Sequence, residues 1–450
     1  MLRGPLTGTR DVKLSGLCVE CGLCDLTDRT KGNQVSSAST RNSSELIDVS
    51  SVSEEFIWEA CPGKGVDYPF VYRAHYGHAM PESGLGPIEG IWIGHAQDSE
   101  WRERASSGGV MSRVLRYLLS SHQVQGVIVA RQRVDRPLEA EWVILRNPEE
   151  ILETAQSVYT PVPMLESLNE LVAGETYAIS CVPDQAAALR CLQGLGSATA
   201  RQIRFVVGPF VGTGLKPEAL TTFLHKQNVS ASTVSGVRWR DGEWPGSLTV
   251  SLESGESISS PKFYYNHLTP AFVDEQSLQS QDFYNEFSDI SVGDAWSPKY
   301  EQLGQGFSVV IARTTSAAAL LSEMARAGEL SLHAISLNEA LPMHAHMRDF
   351  KSRGSYIRNR FRRSLGMNAR DTGVLPTGIP RRRYAIEIVV SGIFAIASSR
   401  LGRAAISRIP DSQLGPLFAT LRLKWKTLSK STKRHGLQSG QYSEMRTRWR

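Results

Sequence analysis

YAISCVPDQAAALRCLQGLGSATARQIRFVVGPFVGTGLKPEALTTFLHK, residues Tyr177–Lys226, runs through one pattern twice. Tyr177–Cys181 is a short apolar run of strand length, and Asp184–Leu192 follows with small and apolar residues at helical spacing. Ile203–Gly208 repeats the strand and Lys216–Lys226 repeats the helix. Strands alternating with helices predict α/β layers with mainly parallel pairing.

Toward the N-terminus, Ile91–Gly94 reads as a strand and Gly126–Ala130 as another. Between them, Ser106-Ser107-Gly108-Gly109 opens a helix with Val110, Val114, Leu115, Leu118 and Leu119 on one side. Toward the C-terminus, residues 234–264 predict antiparallel strands turned at Asp241-Gly242 and Pro245-Gly246. Phe307–Arg313 predicts a further strand, followed by a helix rich in Ala and Leu. Lys31–Ser53 is rich in Ser, Thr and Asn and reads as a long loop. No repeat of solenoid-like period is present.

The 450 residues, 41% hydrophobic and 21% charged, suit an ordinary globular protein of two or three domains. No N-terminal stretch resembles a signal peptide, so the expected location is the cytoplasm. No apolar run reaches the ~18 residues of a membrane span. Tyr384–Ser399 comes nearest, but it is short and carries Glu387. The net charge of +5 is unevenly spread: residues 351–450 hold 22 Lys+Arg against 4 Asp+Glu, a net of +18, and the first 350 residues carry −13. This asymmetry predicts an acidic body and a separate basic element with a partner of its own.

Cys18, Cys21 and Cys24 fall within one tight loop, and Cys61 precedes Pro62. Without a secretion signal, such clustering points to a metal rather than to disulfides. Two-residue spacers let successive sulfurs face one compact centre, as a cubane cluster requires. Gly22 permits the unusual backbone turn that wraps it. The ferredoxin pattern would place a Cys-Pro where Asp28 stands, so Cys61 is the candidate fourth ligand. Zinc is the alternative for four thiolates, although its sites usually pair two separated Cys-x-x-Cys knuckles. Isolated Cys181 and Cys191 read as ordinary small hydrophobes. The expected fold is therefore α/β, α+β in parts: a layered core, a cysteine-rich ferredoxin-like segment before it and a basic helical extension after it. Its expected divisions are 1–70, 71–155, 156–330 and 331–450.

The Ser106–Gly109 turn offers a second candidate site. A helix start exposes free N–H groups, glycines admit a phosphate close to the backbone, and serine hydroxyls bond a ligand or cap the helix. Helix capping alone explains such a turn equally well. No Walker pattern or Gly-x-Gly-x-x-Gly is present.

Several ordered segments resemble one family. They are Gly94-His95-Ala96-Gln97-Asp98, Trp101-Arg102, Ala105–Val110, Gly126–Val129, Tyr159-Thr160-Pro161, Pro183 with Ala187–Arg190, Trp244-Pro245-Gly246 and Asp289–Trp296. Over roughly residues 15–320 the chain is similar to the coenzyme F420 hydrogenase/dehydrogenase beta-subunit family. The resemblance implies an α/β flavoprotein core, FAD, iron–sulfur clusters, and a redox partner such as a ferredoxin or a hydrogenase or dehydrogenase subunit. It places Ser106, Ser107, Gly108 and Gly109 near the flavin or a coenzyme phosphate, and Tyr159 against the ring system. Asp289 and Asp294 become polar contacts, or supports for a nearby arginine, and Lys299 a phosphate contact. One 4Fe-4S cluster is expected at Cys18, Cys21, Cys24 and Cys61, with coenzyme F420 as a candidate substrate.

Two departures stand out. The family's second cysteine pair corresponds to Ser277-Leu278-Gln279-Ser280 here, and its Pro-Cys cysteine to Asp184. Serine is a poor iron ligand beside thiolate, which argues against a second cluster. The expected activity is that of a flavin-dependent iron–sulfur oxidoreductase. The competing reading, which the missing cysteines favour, is a non-catalytic accessory protein in polysaccharide biosynthesis. For the basic tail the expectation is peripheral membrane contact, with an acidic protein partner or the protein's own acidic body as the alternative; nucleic acid is disfavoured because no reader fold is present and Trp425 and Trp449 are isolated aromatics.

Overall fold

The computed structural model describes residues 5–26, 52–81, 84–261, 268–410, 412–418, 420–421, 424 and 442–444. Most of the expected loop Lys31–Ser53 lies outside the described residues, as do Trp425, Trp449 and all of the basic cluster Arg422–Arg434 except Lys424.

The strands that build the core are β1 (Gly90–Ala96), β2 (Gly126–Gln132), β3 (Ala140–Leu145), β4 (Tyr177–Ser180), β5 (Ile203–Pro209), β6 (Val234–Asp241), β7 (Ser247–Leu252), β8 (Ser257–Pro261), β9 (Ile290–Asp294), β10 (Ser308–Ala312) and β11 (Leu330–Ala334). An eight-stranded sheet has the order β11-β1-β10-β9-β5-β4-β2-β3. Its centre, β2-β4-β5-β9, is parallel. Both flanks are antiparallel: β3 on β2, and β10, β1 and β11 in succession beyond β9. The sheet is therefore mixed rather than mainly parallel. The β2–β3 connection is too short for a crossover, and the return from Asp294 to Ser308 contains only the short helix Pro298–Glu301.

Period-two alternation splits the sheet's side chains between two cores. Ile128, Ile179 and Val206 join Leu189, Leu192 and Tyr72 on one face. Val127, Ala178, Phe205, Val292 and Val310 join Leu115, Leu118 and Leu321 on the other. The helix Val110–Ser120 buries the five residues its periodicity predicts. Helix Pro183–Leu195 is buried along most of its length, and Ala186, Ala187 and Ala188 let neighbouring elements approach closely. The expected antiparallel unit is the separate sheet β6-β7-β8, whose Trp239, Leu248 and Val250 pack on Phe223 and Leu224 of helix Glu218–Lys226. The main sheet takes strands from both sides of the expected division at residue 155, and β11 joins it at the edge.

Through residue 410 the C-terminal segment packs on the body rather than standing as a detached basic arm. Helix Leu337–Asp349 continues through a widened turn, Phe350–Gly354, into helix Ser355–Ser364. Lys351, Arg353, Arg358, Arg370 and Arg383 are buried. Their charges meet carboxylates: Arg358 Nη1 lies 2.6 Å from Glu387, Arg383 Nε 2.8 Å from Asp349, and Arg370 Nη1 2.7 Å from Asp184. Among the described residues, five of the segment's 22 basic residues are thus interior, and the protein's own carboxylates are among their partners.

Candidate functional site

Cys18 and Cys24 are half-buried, Cys21 and Cys61 are buried, and none forms a disulfide. Gly22 has φ +82°, and a Cβ there would come within 2.8 Å of Glu166 N and Pro163 O. This turn therefore requires glycine. The Leu165 N–H donates to Cys21 O at 2.9 Å and pins the loop to the helical turn Met164–Glu170. Burial pushes the thiols of Cys21, Cys24 and Cys61 up, and their mutual charges add to the effect; Cys21 senses Cys61, Cys24 and Cys18. Each of these thiols therefore senses at least one other member of the set.

Donors oppose that rise. The N–H of Leu23 serves Cys21, those of Gly63 and Lys64 serve Cys61, and the Thr9 hydroxyl serves Cys24. The Glu20 N–H donates to Cys18 Sγ at 3.4 Å. Among the described residues no group of three or more His, Cys, Asp or Glu side chains is placed to hold one metal ion. Zinc bonds of about 2.3 Å would draw the sulfurs to about 3.8 Å from one another. A cubane puts each sulfur on its own iron and keeps them farther apart. N–H donors to sulfur suit any thiolate-bound centre, a multi-iron cluster included.

Beside this loop lies a cleft of about 380 Å³. It opens where β2, β4, β5 and β9 end, using Ala130, Cys181, Phe210 and Asp294 among its walls. Ligands of open α/β sheets bind at the carboxyl ends of parallel strands. Val19, from inside the cysteine loop, forms part of the same wall. Gln276, another wall residue, hydrogen-bonds Gly16 O. Thr160 Oγ1 is buried on this wall with no hydrogen-bond partner among the described residues. An unpaired buried hydroxyl is costly unless a ligand or water satisfies it.

The sequence-derived residues separate into two groups. Ser106, Ser107, Gly109, Tyr159 and Asp294 line the cleft. Ser106 Oγ accepts from the Ser157 N–H at 2.8 Å, Ser107 Oγ donates to Phe307 O at 2.9 Å, and Tyr159 packs edge-on against Trp239. Asp294 receives Arg240 Nη1 at 2.8 Å and the Trp244 indole at 3.2 Å, which fastens the small sheet to the end of β9. Gly108, Asp289 and Lys299 are not wall residues. Asp289 is buried, accepting Arg190 Nη2 at 2.6 Å and the Val206 N–H at 2.7 Å. Lys299 is exposed beside Tyr300.

A Cβ at Gly108 would meet Gly94 O at 2.6 Å and Ser308 N at 3.0 Å. The close approach at this turn is thus to β1 and β10 rather than to a ligand. Gly108→Val is expected to lower stability by roughly 1–3 kcal/mol through overpacking. Urea unfolding measures this, and an unchanged midpoint would mean that the two strands give way.

Arg240 and Lys351 are wall residues that sequence reasoning did not single out. Arg240 follows the apolar alternation of β6, a weak signal, and Lys351 is one of many basic residues near the C-terminus. The Lys351 ammonium donates to Ser277 O at 2.6 Å, and burial pulls its pKa down to about 8. Asp184, Ser277 and Ser280 line this same corner. Hard oxygens beside Lys351 and Arg370 do not fit a second thiolate-bound cluster.

Residues 91–169 match the family described as coenzyme F420 hydrogenase/dehydrogenase, beta subunit N-term, and residues 174–337 match its C terminus. A coenzyme F420 hydrogenase subunit beta from Methanococcus voltae is 27% identical over 246 residues, covering 52% of this chain and 80% of that protein. A coenzyme F420-dependent sulfite reductase from Methanocaldococcus jannaschii is 24% identical over 223 residues, covering 46% of this chain and 33% of that enzyme. A chain of the F420-reducing NiFe hydrogenase complex from Methanosarcina barkeri superposes with a TM-score of 0.53 at 21% identity, covering 65% of this chain and 99% of its own, a likeness of fold. The two family segments together span more than half of the residues, and on that ground the chain belongs to the coenzyme F420 hydrogenase/dehydrogenase beta-subunit family.

Proposed function

We propose that this oxidoreductase holds FAD in the cleft and one 4Fe-4S cluster at Cys18, Cys21, Cys24 and Cys61, passing electrons between a deazaflavin coenzyme or similar donor and a partner subunit. The observation that carries the reading is the shared wall: Val19 belongs both to the cysteine loop and to the cleft. A flavin takes up a hydride and releases electrons singly, and a cluster carries single electrons, so the two need to be neighbours.

The chain's own groups supply position and charge. The apolar side of the cleft, with Val110, Leu115, Val129 and Met164, suits a ring system, and the unpaired Thr160 hydroxyl suits a polar edge. Arg240 and Lys351 are cations on the wall, suited to phosphate oxygens. The N–H donors around the four sulfurs would stabilise the negative charge of a reduced cluster.

Anaerobic purification with iron, sulfide and flavin analysis tests the proposal directly. The expected holoprotein is brown and contains about four irons and one flavin per chain. A colourless, metal-free protein would instead favour the accessory role to which Asp184, Ser277 and Ser280 point. Lys351→Met keeps the side chain's length and removes its charge. It is expected to weaken FAD binding about tenfold, the worth of one charge-assisted hydrogen bond. Fluorescence titration of flavin-stripped protein reads this, and equal affinity would remove Lys351 from the ligand set.

A further inference from the structure

The helix Arg381–Ser398 is built inside out. Its inward face holds Arg383, Glu387 and Val390. Glu387 is fully buried between Arg358, at 2.6 Å, and Arg383, at 2.7 Å. Its outward face carries an apolar stripe at helical spacing: Ile388 is 59% exposed, Val389 56%, Ile393 50% and Ile396 73%. A surface helix normally turns such a stripe to the core. Here the charges are satisfied inside, which leaves the apolar face outside.

The stripe continues beyond a 71° bend into helix Arg400–Arg408, where Leu401 is 84% exposed. Among the described residues no single helix is long and apolar enough to cross a membrane, and these two reach that length and composition only as a bent pair. The inner ion network also opposes insertion, because spanning would carry Glu387, Arg383 and Arg358 into hydrocarbon. Exposed Arg381, Arg382, Arg400 and Arg408 rim the stripe, and the only carboxylate between residues 381 and 408 is buried Glu387. Within residues 381–408 the outer face is therefore apolar at its centre, and its exposed charges are all cationic. That complementarity matches an anionic lipid surface, where side chains enter the acyl boundary and arginines meet headgroups.

We propose that the outward face of Arg381–Arg408 docks the protein flat on an anionic bilayer. Sedimentation of the full chain with phosphatidylcholine vesicles, with and without phosphatidylserine, tests it. The wild type is expected to bind the anionic vesicles, and less tightly as salt rises. The pair Ile388→Asp with Ile396→Asp is expected to lose about a hundredfold or more in affinity, since each removes an apolar side chain that docking would bury. The pair Arg381→Glu with Arg382→Glu, which leaves the stripe intact, is expected to lose about 25-fold or more. Circular dichroism confirms that each variant is folded, and the charge-reversed pair decides the matter if the aspartates disturb the helix. Wild-type protein that ignores anionic vesicles, or variants that bind as the wild type does, would overturn the proposal. So would a lipid-free dimer dispersed by the isoleucine substitutions, because the stripe would then be a contact between copies.

Discussion

Cys21→Ser is expected to strip the anaerobically purified protein of most of its iron, while Cys191→Ala leaves the iron content unchanged. Cys21 is the buried member of the Cys18–Cys24 loop, its backbone held by the Leu165 N–H and its thiol pushed up by burial and by the other three sulfurs. A serine oxygen is a poor iron ligand beside thiolate, and an incomplete set leaves one corner of a cluster open to solvent and oxygen. Cys191 lies within helix Pro183–Leu195, in the core packed around Leu189 and Tyr72, and serves as the control for losing any buried sulfur. Iron and sulfide analysis of the two variants side by side gives the answer. Full iron in Cys21→Ser would sink the proposed ligand set.

The second large effect is on folding. Asp289→Ala is expected to cost roughly 3–5 kcal/mol, because it leaves Arg190 buried without its partner. Asp289 also accepts the Val206 N–H, and its backbone bonds Val206 O and the Arg313 N–H, so it ties β5 to the β9–β10 pair. Thermal melting of the purified variant reads the loss. A melting temperature close to the wild type would mean that Arg190 finds another acceptor, such as Phe287 O or Gln193, both of which it already contacts.

The contrast between Asp289 and Asp294 shows what the sequence discloses. Both stand in one short motif, and both sit on arginines, but Asp289 is interior and Asp294 faces the cleft. Motif membership carried no information about that difference, because burial depends on strands far away in the chain. The parallel centre of the sheet was legible for the opposite reason: its apolar periodicity is local. The antiparallel flank was not, since β1 pairs with β10 and β11, more than two hundred residues downstream. Gly108 misled in the same way. Its nearest neighbours include Ser308, which no local pattern could reveal. Glu387 was visible as an interruption of an apolar run, but its role as an interior counter-ion depends on Arg358 and Arg383 lying opposite.

The corner of the cleft at Ser277–Ser280 relies on groups that come much later in the chain. Ser277 O, Leu278 O and Gln279 O receive Lys351, Arg358 and Asn359 respectively. The last two of these bonds join residues 80 positions apart. A chain leaves the ribosome N-terminus first. During synthesis those carbonyls must therefore wait in water until the later helices emerge, and Arg358 must wait again for Glu387. A nascent chain lacks the finished corner until these helices are made. The corner at Ser277–Ser280 is thus complete only after residues 351–359 have left the ribosome, and Arg358 gains Glu387 later still.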